Sequence, residues 1–451
     1  MRLKITVIAC CLALRLNAAE EVKPADPFFA AYHPLQAPQP AGLLLQKGDR
    51  LAICGDSITE QKMYSRIMED YLTMCTPELK ISVRQFGWGG ERADGFLKRM
   101  TNDCLRFRPT IATTCYGMND HEYRPYEDRI GEAYQKSSSA IIESFKAHDV
   151  RVVMGSPGCI GKVPWWEAGK YQVDDLNLNL CHLRNIGVEI AEQEHVNFAD
   201  VFWPMLNASQ IASQRYGTNY GLTGSDGVHP NWAGHVIMAY AFLKALGLDG
   251  EIANFTVDLS ARRMTVSKGH KLLSSKNGEY VIRSERYPFC VGCPMGLAAN
   301  WYPTAGTENI TNSDNLRSGM TLIPFNQDLN RFMLTVKNGF AEKYRIFWGD
   351  ETREFTNEQL AHGVNLAEEF PINPFSRQFA LVDAAVSAKQ DFETHQVKAL
   401  FRPPGDKVTI DQVAKQTEAV LDYTERQHAA LENVIRTAYA PVTYTLKITP
   451  E

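Results

Sequence analysis

Five short apolar runs alternate with amphipathic stretches between residues 48 and 250, and this alternation constrains the fold more than any other feature. LAIC (51–54), LKISVRQF (79–86), TIATTCY (110–116), VRVVMGS (150–156) and VNFADV (196–201) read as strands. Helical patterns lie near 61–74, 92–106, 127–148, 175–194 and 231–246. Short apolar strands separated by helices imply a parallel sheet covered on both faces. Such sheets hold their ligands beyond the carboxyl ends of the strands, so the residues just after each strand carry the chemistry.

The flanks read differently. MRLK is a basic start, ITVIACCLAL an apolar core, and LNAA ends in small residues before Glu20 and Glu21. Residues 1–19 thus predict a secretory signal cleaved near Ala18 or Ala19, with a buried first strand as the other reading. The expected location is secreted or periplasmic. VIAC, ending at Cys10, only faintly matches a lipoprotein signal, because the apolar run before it is short. Residues 20–47, rich in Pro and Ala, form an extended lead-in. From 255 to about 370, period-two runs such as EYVIRSE, RFMLTVKNG and KYRIFWGD predict a small antiparallel β module. Residues 371–451 predict a helical hairpin with a tail: 373–398 and 408–439 look helical, and Arg402-Pro403-Pro404-Gly405 breaks the chain between them. Phe375, Phe379, Val382 and Val386 share one face of the first of these helices.

With 47 Lys and Arg against 52 Asp and Glu, the formal net charge of −5 argues against a phosphate-tracking nucleic-acid surface. No long apolar run follows the N-terminus, so no membrane span is expected. Of ten cysteines, Cys10 and Cys11 would leave with the signal, and an exported chain could pair some of the other eight. Several sit in apolar runs where a buried thiol is the plainer reading. Cys290-x-x-Cys293 has no second pair at metal spacing, so zinc is not expected; a local disulfide or two free thiols remain open.

Four motifs follow the strands in order. LAICGDSITE (51–60) puts Ser57 on the first turn after a strand, where Asp and Ser could equally be helix caps. FGWGGERADGF (86–96) has three glycines in five positions, which allow a backbone N–H to approach a ligand or simply make a tight turn. YGMND (116–120) offers the Asn119 side-chain amide at the same sheet edge, in a motif that also suits a turn. SDGVHPN (225–231) supplies Asp226 and His229 three residues apart.

This ordered set resembles the SGNH (GDSL-like) hydrolase superfamily over residues 48–248, through the Ser of GDS, the Gly of the second block, the Asn of GxND and the His of DxxHP. The resemblance implies a three-layer α/β/α flavodoxin-like sheet, with the β module and helical hairpin as additions of an exported multi-domain member. It implies Ser57 as nucleophile, His229 as general base, Asp226 as its orienting carboxylate, and an oxyanion hole of the Ser57 and Gly90 N–H groups with the Asn119 side chain. Gly90 is preferred to Gly89 or Gly87 because the family glycine usually precedes an acidic residue, here Glu91. The physical logic agrees: a hydroxyl needs a base, a carboxylate fixes the imidazole tautomer, and donors aimed at the oxyanion supply about 2.7–4 kcal/mol each. GxSxG, HExxH and phosphate-loop motifs are absent.

Trp88, Asp120, Trp165 and Trp166 flank these blocks and are the candidate substrate-binding residues, with rim packing as the bland alternative. Exported members of the superfamily often deacetylate polysaccharides. The expected activity is therefore hydrolysis of O-acyl, chiefly O-acetyl, esters on carbohydrate, with a small-molecule or polysaccharide ester as partner and no cofactor or metal. A lipid esterase or thioesterase is the alternative within the superfamily. A non-catalytic glycan-binding protein on a hydrolase scaffold is the alternative of another class.

Overall fold

The computed structural model of the 451-residue chain describes residues 19–290, 310–400 and 410–451. The expected signal, apart from Ala19, and Cys293 lie outside the described residues.

Five strands form one parallel sheet: β1 (Arg50–Gly55), β2 (Ser82–Gly87), β3 (Ile111–Cys115), β4 (Arg151–Gly155) and β5 (Asn197–Ala199). Their order is β2-β1-β3-β4-β5, the doubly wound flavodoxin-like order. Between them run α1 (Ser57–Glu60), α2 (Tyr64–Met74), α3 (Ala93–Asp103), α4 (Asp128–Lys146) and α5 (Val173–Gln193), followed by α6 (Phe202–Tyr216) and α7 (Trp232–Ala245). Alternation along β1 sorts the two faces. Leu51 and Ile53 join the core under α2 and α7, whereas Ala52 and Cys54 join the core under α3 and α4. Register sets the chemistry: Gly55 pairs with Gly87 on one side and with Cys115 on the other. The loops after β1, β2 and β3 therefore leave the sheet at one level, at the switch point of the strand order.

The lead-in is anchored. Asp26 caps a short 3-10 turn, Pro27–Ala31, and Phe29 and Tyr32 pack on Trp203 with ring centroids 5.4 and 6.4 Å apart. Helix α6 is an addition to the sequence-based expectation.

The rest of the chain departs further from expectation. The β-rich part comprises β6 (Glu251–Asp258), β7 (Arg263–Thr265), β8 (His270–Lys276), β9 (Glu279–Ser284), β10 (Arg331–Lys337), β11 (Lys343–Trp348), β12 (Glu351–Thr356) and β13 (Val364–Asn365). Short helices α8 (Leu316–Met320), α9 (Phe325–Leu329), α10 (Asn357–His362) and α11 (Leu366–Glu369) connect some of them. After α12 (Ser376–His395) and α13 (Ile410–Ala438) comes a final strand, β14 (Val442–Pro450). Two sheets result, β13-β10-β6-β7 and β12-β11-β14-β9-β8. The module is thus not one antiparallel sheet, since β6 and β10 pair in parallel. The two helices expected after 371 are present as α12 and α13 and pack on each other, but the tail that follows is a strand: β14 is the middle strand of the second sheet, paired with β11 and β9. Its alternation buries Tyr444, Leu446 and Ile448. An aromatic cluster of Phe332, Trp348, Phe375 and Tyr444 fills the module core; truncating a buried aromatic of this kind costs about 3–5 kcal/mol.

Helix α12 buries Phe379, Val382 and Val386 and packs on α2 and β2. That contact is also ionic. Arg66 grips Asp383 with two N–H donors, and Lys389 lies between Glu69 at 2.9 Å and Glu393 at 2.7 Å, all buried. Removing one partner of such a buried pair typically costs about 3–5 kcal/mol, because it strands the other charge. The accessory helix is therefore bound to the α/β part by apolar packing and by buried charge pairs together.

Candidate active site

Strand β1 ends in Gly55, and Asp56 caps α1 by accepting the Ile58 N–H at 2.9 Å. Ser57 is then the first helical residue, so its N–H is one that a helix leaves without an internal partner. Burial pushes the Asp56 carboxyl up to about 7, against the opposing pull of the Ile58 N–H.

The loop before α7 brings in the second group. Asp226 Oδ1 accepts the N–H groups of Val228 and His229, each at 2.9 Å, and its Oδ2 lies 2.6 Å from His229 Nδ1. Burial alone would raise the Asp226 carboxyl, but these N–H groups and the imidazole hold it below the ordinary value. Gly227, at φ +83°, passes so close to Lys162 that a Cβ would lie 2.4 Å from the Lys162 carbonyl oxygen. His229 Nε2 is 2.8 Å from Ser57 Oγ. An ionised carboxylate only accepts, so the ring proton sits on Nδ1 and Nε2 is left to accept from the hydroxyl. The structure thus brings Ser57, His229 and Asp226, which span 172 positions of sequence, into one hydrogen-bonded row.

The glycine turn after β2 has a defined register. The Gly87 N–H goes to Gln85 Oε1, that of Trp88 to the Gly55 carbonyl, that of Gly89 to Glu60 Oε2 and that of Glu91 to the Trp88 carbonyl. Gly90, exposed at φ +71°, has no such partner among the described residues, so its N–H is the donor left over. Glu91 is fastened from below. Arg99 donates to both its oxygens at 2.6 and 2.7 Å, and the Tyr116 hydroxyl donates to one at 3.0 Å.

After β3, Asn119 is held by both ends of its amide. Nδ2 donates to the Glu91 carbonyl at 3.0 Å, and Oδ1 accepts from the Tyr123 hydroxyl at 3.2 Å. One N–H of the amide remains for a ligand. Glu91, Arg99, Tyr116 and Tyr123 are supports that sequence reasoning missed; the charge pair of Glu91 and Arg99 beside the glycine turn was the only visible hint.

The four expected substrate-binding residues divide. Trp165 is 78% exposed, stands edge-on to the half-buried Trp166 at 5.5 Å, and Trp166 in turn meets Tyr123 at 5.6 Å. Trp88 is half-buried, with the Arg99 guanidinium 5.2 Å and Lys398 Nζ 4.9 Å from its ring. Asp120 is not at the surface where a substrate could reach it. Its carboxylate is buried and accepts the N–H groups of Ala93 and Gly117 at 3.0 and 2.9 Å, which splices the second loop to the third. Burial raises it to about 6 despite those donors.

Cys54, Cys75, Cys104, Cys115, Cys159 and Cys181 are buried free thiols, and Cys290 is buried as well; the sulfurs of Cys54 and Cys104 lie 3.9 Å apart. Among the described residues no helix is long and apolar enough to cross a membrane.

Residues 53–237 match the GDSL-like Lipase/Acylhydrolase family. An acetylxylan esterase of Geobacillus stearothermophilus is 24% identical over 224 residues, which cover 45% of this chain and 95% of that protein. Among solved structures, a gut microbial diltiazem-metabolizing enzyme is 22% identical and superimposes with a TM-score of 0.69, over 92% of this chain and all of the other. The last similarity concerns the fold, and it extends through the β module and the final helices. The α/β part is a GDSL-like lipase/acylhydrolase domain, and the chain is a carboxylic ester hydrolase of the SGNH/GDSL type.

Proposed function

We propose that this hydrolase is an exported serine esterase that removes O-acyl groups, chiefly O-acetyl, from carbohydrate. The observation that carries the reading is the row Ser57 Oγ–His229 Nε2 at 2.8 Å and His229 Nδ1–Asp226 Oδ2 at 2.6 Å.

Ser57 Oγ attacks the ester carbonyl carbon as its proton passes to His229 Nε2, and Asp226 stabilises the imidazolium. The carbonyl π electrons move onto oxygen, where the Ser57 and Gly90 N–H groups and the spare N–H of Asn119 receive the charge. Collapse breaks the bond to the sugar oxygen, which takes the proton from His229. Water, deprotonated by the same imidazole, then attacks the acyl-serine carbonyl; the bond to Ser57 Oγ breaks, Oγ takes the proton back from His229, and the carboxylic acid leaves. The acetyl and carbohydrate parts of the proposal draw on the acetylxylan esterase relative and on the exposed Trp165, whose face suits a sugar ring.

The test is acetate release from acetylated polysaccharides by the purified chain and by Ser57→Ala. The expected outcome is release by the wild type and a loss of about 10⁴-fold or more in the variant, with an unchanged melting temperature. Retained activity in Ser57→Ala would refute the nucleophile; inactivity on all acetylated glycans with turnover of long-chain esters would refute the substrate class.

A further inference from the structure

We propose that Lys398, at the far end of the accessory helix, is a positioning residue for the active-site loops. The inference rests on the Ser57 reading above.

Helix α12 runs into a π turn, Gln396–Leu400. Such turns are rare, and they frequently occur at functional sites. This one is fixed on both sides. Gln396 accepts from Arg84 at 2.7 Å and donates to Thr424 at 2.7 Å, and Val397 is buried in the same apolar cluster as Phe86. Lys398 is thereby held with its Nζ 2.5 Å from Glu60 Oε1. The other oxygen of Glu60 accepts the N–H of Gly89. Glu60 is the last residue of α1, which Ser57 begins, and Gly89 immediately precedes Gly90. One carboxylate therefore joins the nucleophile helix to the glycine turn, and a cation from 338 positions away joins that carboxylate. A second tie repeats the pattern, since Lys62 Nζ lies 3.3 Å from Asp391 on α12 and 3.2 Å from the Glu60 carbonyl.

Two physical effects follow. The ion pair fixes the Glu60 rotamer that orders the turn around Gly90. It also offsets a negative charge that stands beside the place where an oxyanion must form, and which uncompensated would oppose it. Lys398 touches no reacting atom, so its effect should fall on the chemical step and not on ground-state binding.

The experiment measures steady-state hydrolysis of p-nitrophenyl acetate, the rate of serine labelling by a fluorophosphonate, and the melting temperature for wild type, Lys398→Met, Lys398→Arg, Glu60→Gln and Ser57→Ala. Methionine keeps the apolar stem beside Trp88 and removes the charge. The expected result for Lys398→Met is a fall of about 5–20-fold in kcat and in labelling rate, KM within about 2-fold, and recovery in Lys398→Arg to within about 3-fold of wild type. Glu60→Gln loses the ordering by the ion pair but also the opposing charge, so it should fall by less, about 2–5-fold, and the double variant Lys398→Met/Glu60→Gln no further than Lys398→Met. If Lys398→Met folds poorly, Glu60→Gln carries the same comparison. Full kcat in Lys398→Met, or in Glu60→Gln, overturns the inference, as does an arginine variant no better than the methionine one. Failure of the Ser57 reading is seen separately, as turnover and labelling that survive Ser57→Ala.

Discussion

Asp226 holds His229 at two points, its backbone N–H at 2.9 Å and its ring Nδ1 at 2.6 Å, with a different carboxylate oxygen for each. The double grip fixes where the imidazole stands and which nitrogen carries its proton. In Asp226→Asn the amide oxygen can keep the backbone bond, but the NH2 then faces Nδ1 and drives the proton to Nε2, where it blocks acceptance from Ser57. The expected result is a loss of about 10³–10⁴-fold in kcat with the fold intact. Steady-state kinetics together with near-UV circular dichroism checks both halves.

Tyr123 acts on Asn119 through a single 3.2 Å hydrogen bond. Tyr123→Phe preserves the ring contacts with His121 and Trp166 and frees the Asn119 amide to turn. The expectation is a fall of about 3–10-fold in kcat with KM nearly unchanged, measured on a small acetyl ester.

Trp165→Ala tests the proposed carbohydrate recognition apart from the chemistry. Its exposed ring stands two residues past the Lys162–Val163 segment that borders the His229 loop. Trp165→Ala should raise KM for acetylated oligosaccharides by about 5–20-fold and leave p-nitrophenyl acetate kinetics unaltered, because stacking on a sugar contributes about 1–2 kcal/mol and a nitrophenyl acetate has no sugar to lose. Equal effects on both substrates would count against carbohydrate recognition at this edge.

Asp56 couples stability to pH. Its folded-state value is raised from 3.8 to about 7 by burial, so the folded chain binds the proton more tightly than the unfolded one. That contribution is fully present below about pH 4 and is lost as pH rises toward 7. Asp56→Asn keeps an acceptor for the Ile58 N–H and has nothing to titrate. The variant should therefore gain stability relative to wild type as pH rises through that window, by on the order of 4 kcal/mol at the top of it. Thermal melts at half-unit pH intervals from 4 to 7.5 read the difference directly.

The sheet and its edge were legible because their signals are local. A parallel strand buried on both faces is an apolar run, and the four motifs fall just after such runs. Helix α6 escaped because FWPMLNASQIASQRY carries a proline near its start and little amphipathic contrast. Strand β14 escaped although VTYTLKITP alternates cleanly: Arg345 and Ser284, which pair with its Thr449 and Val442, lie 104 and 158 positions upstream, and a strand that returns to the middle of a sheet leaves no trace in its neighbours. Asp120 was misread from its adjacency to Asn119. In a tight turn consecutive side chains diverge, one toward the open edge and the other toward buried N–H groups. The ties from Lys398 to Glu60 and from Lys389 to Glu69 were beyond reach, because charge pairing across 300 positions follows from packing of helices and has no counterpart in spacing.

The central placement of β14 has a consequence for biosynthesis. The hairpins β8–β9 and β11–β12 emerge from the ribosome earlier, and each presents a bare inner edge until residues 442–450 arrive to occupy the gap. Nascent chains should consequently carry two open sheet edges until residues 442–450 are made, and stalling just upstream of Val442 should trap a species that recruits other edges in their place.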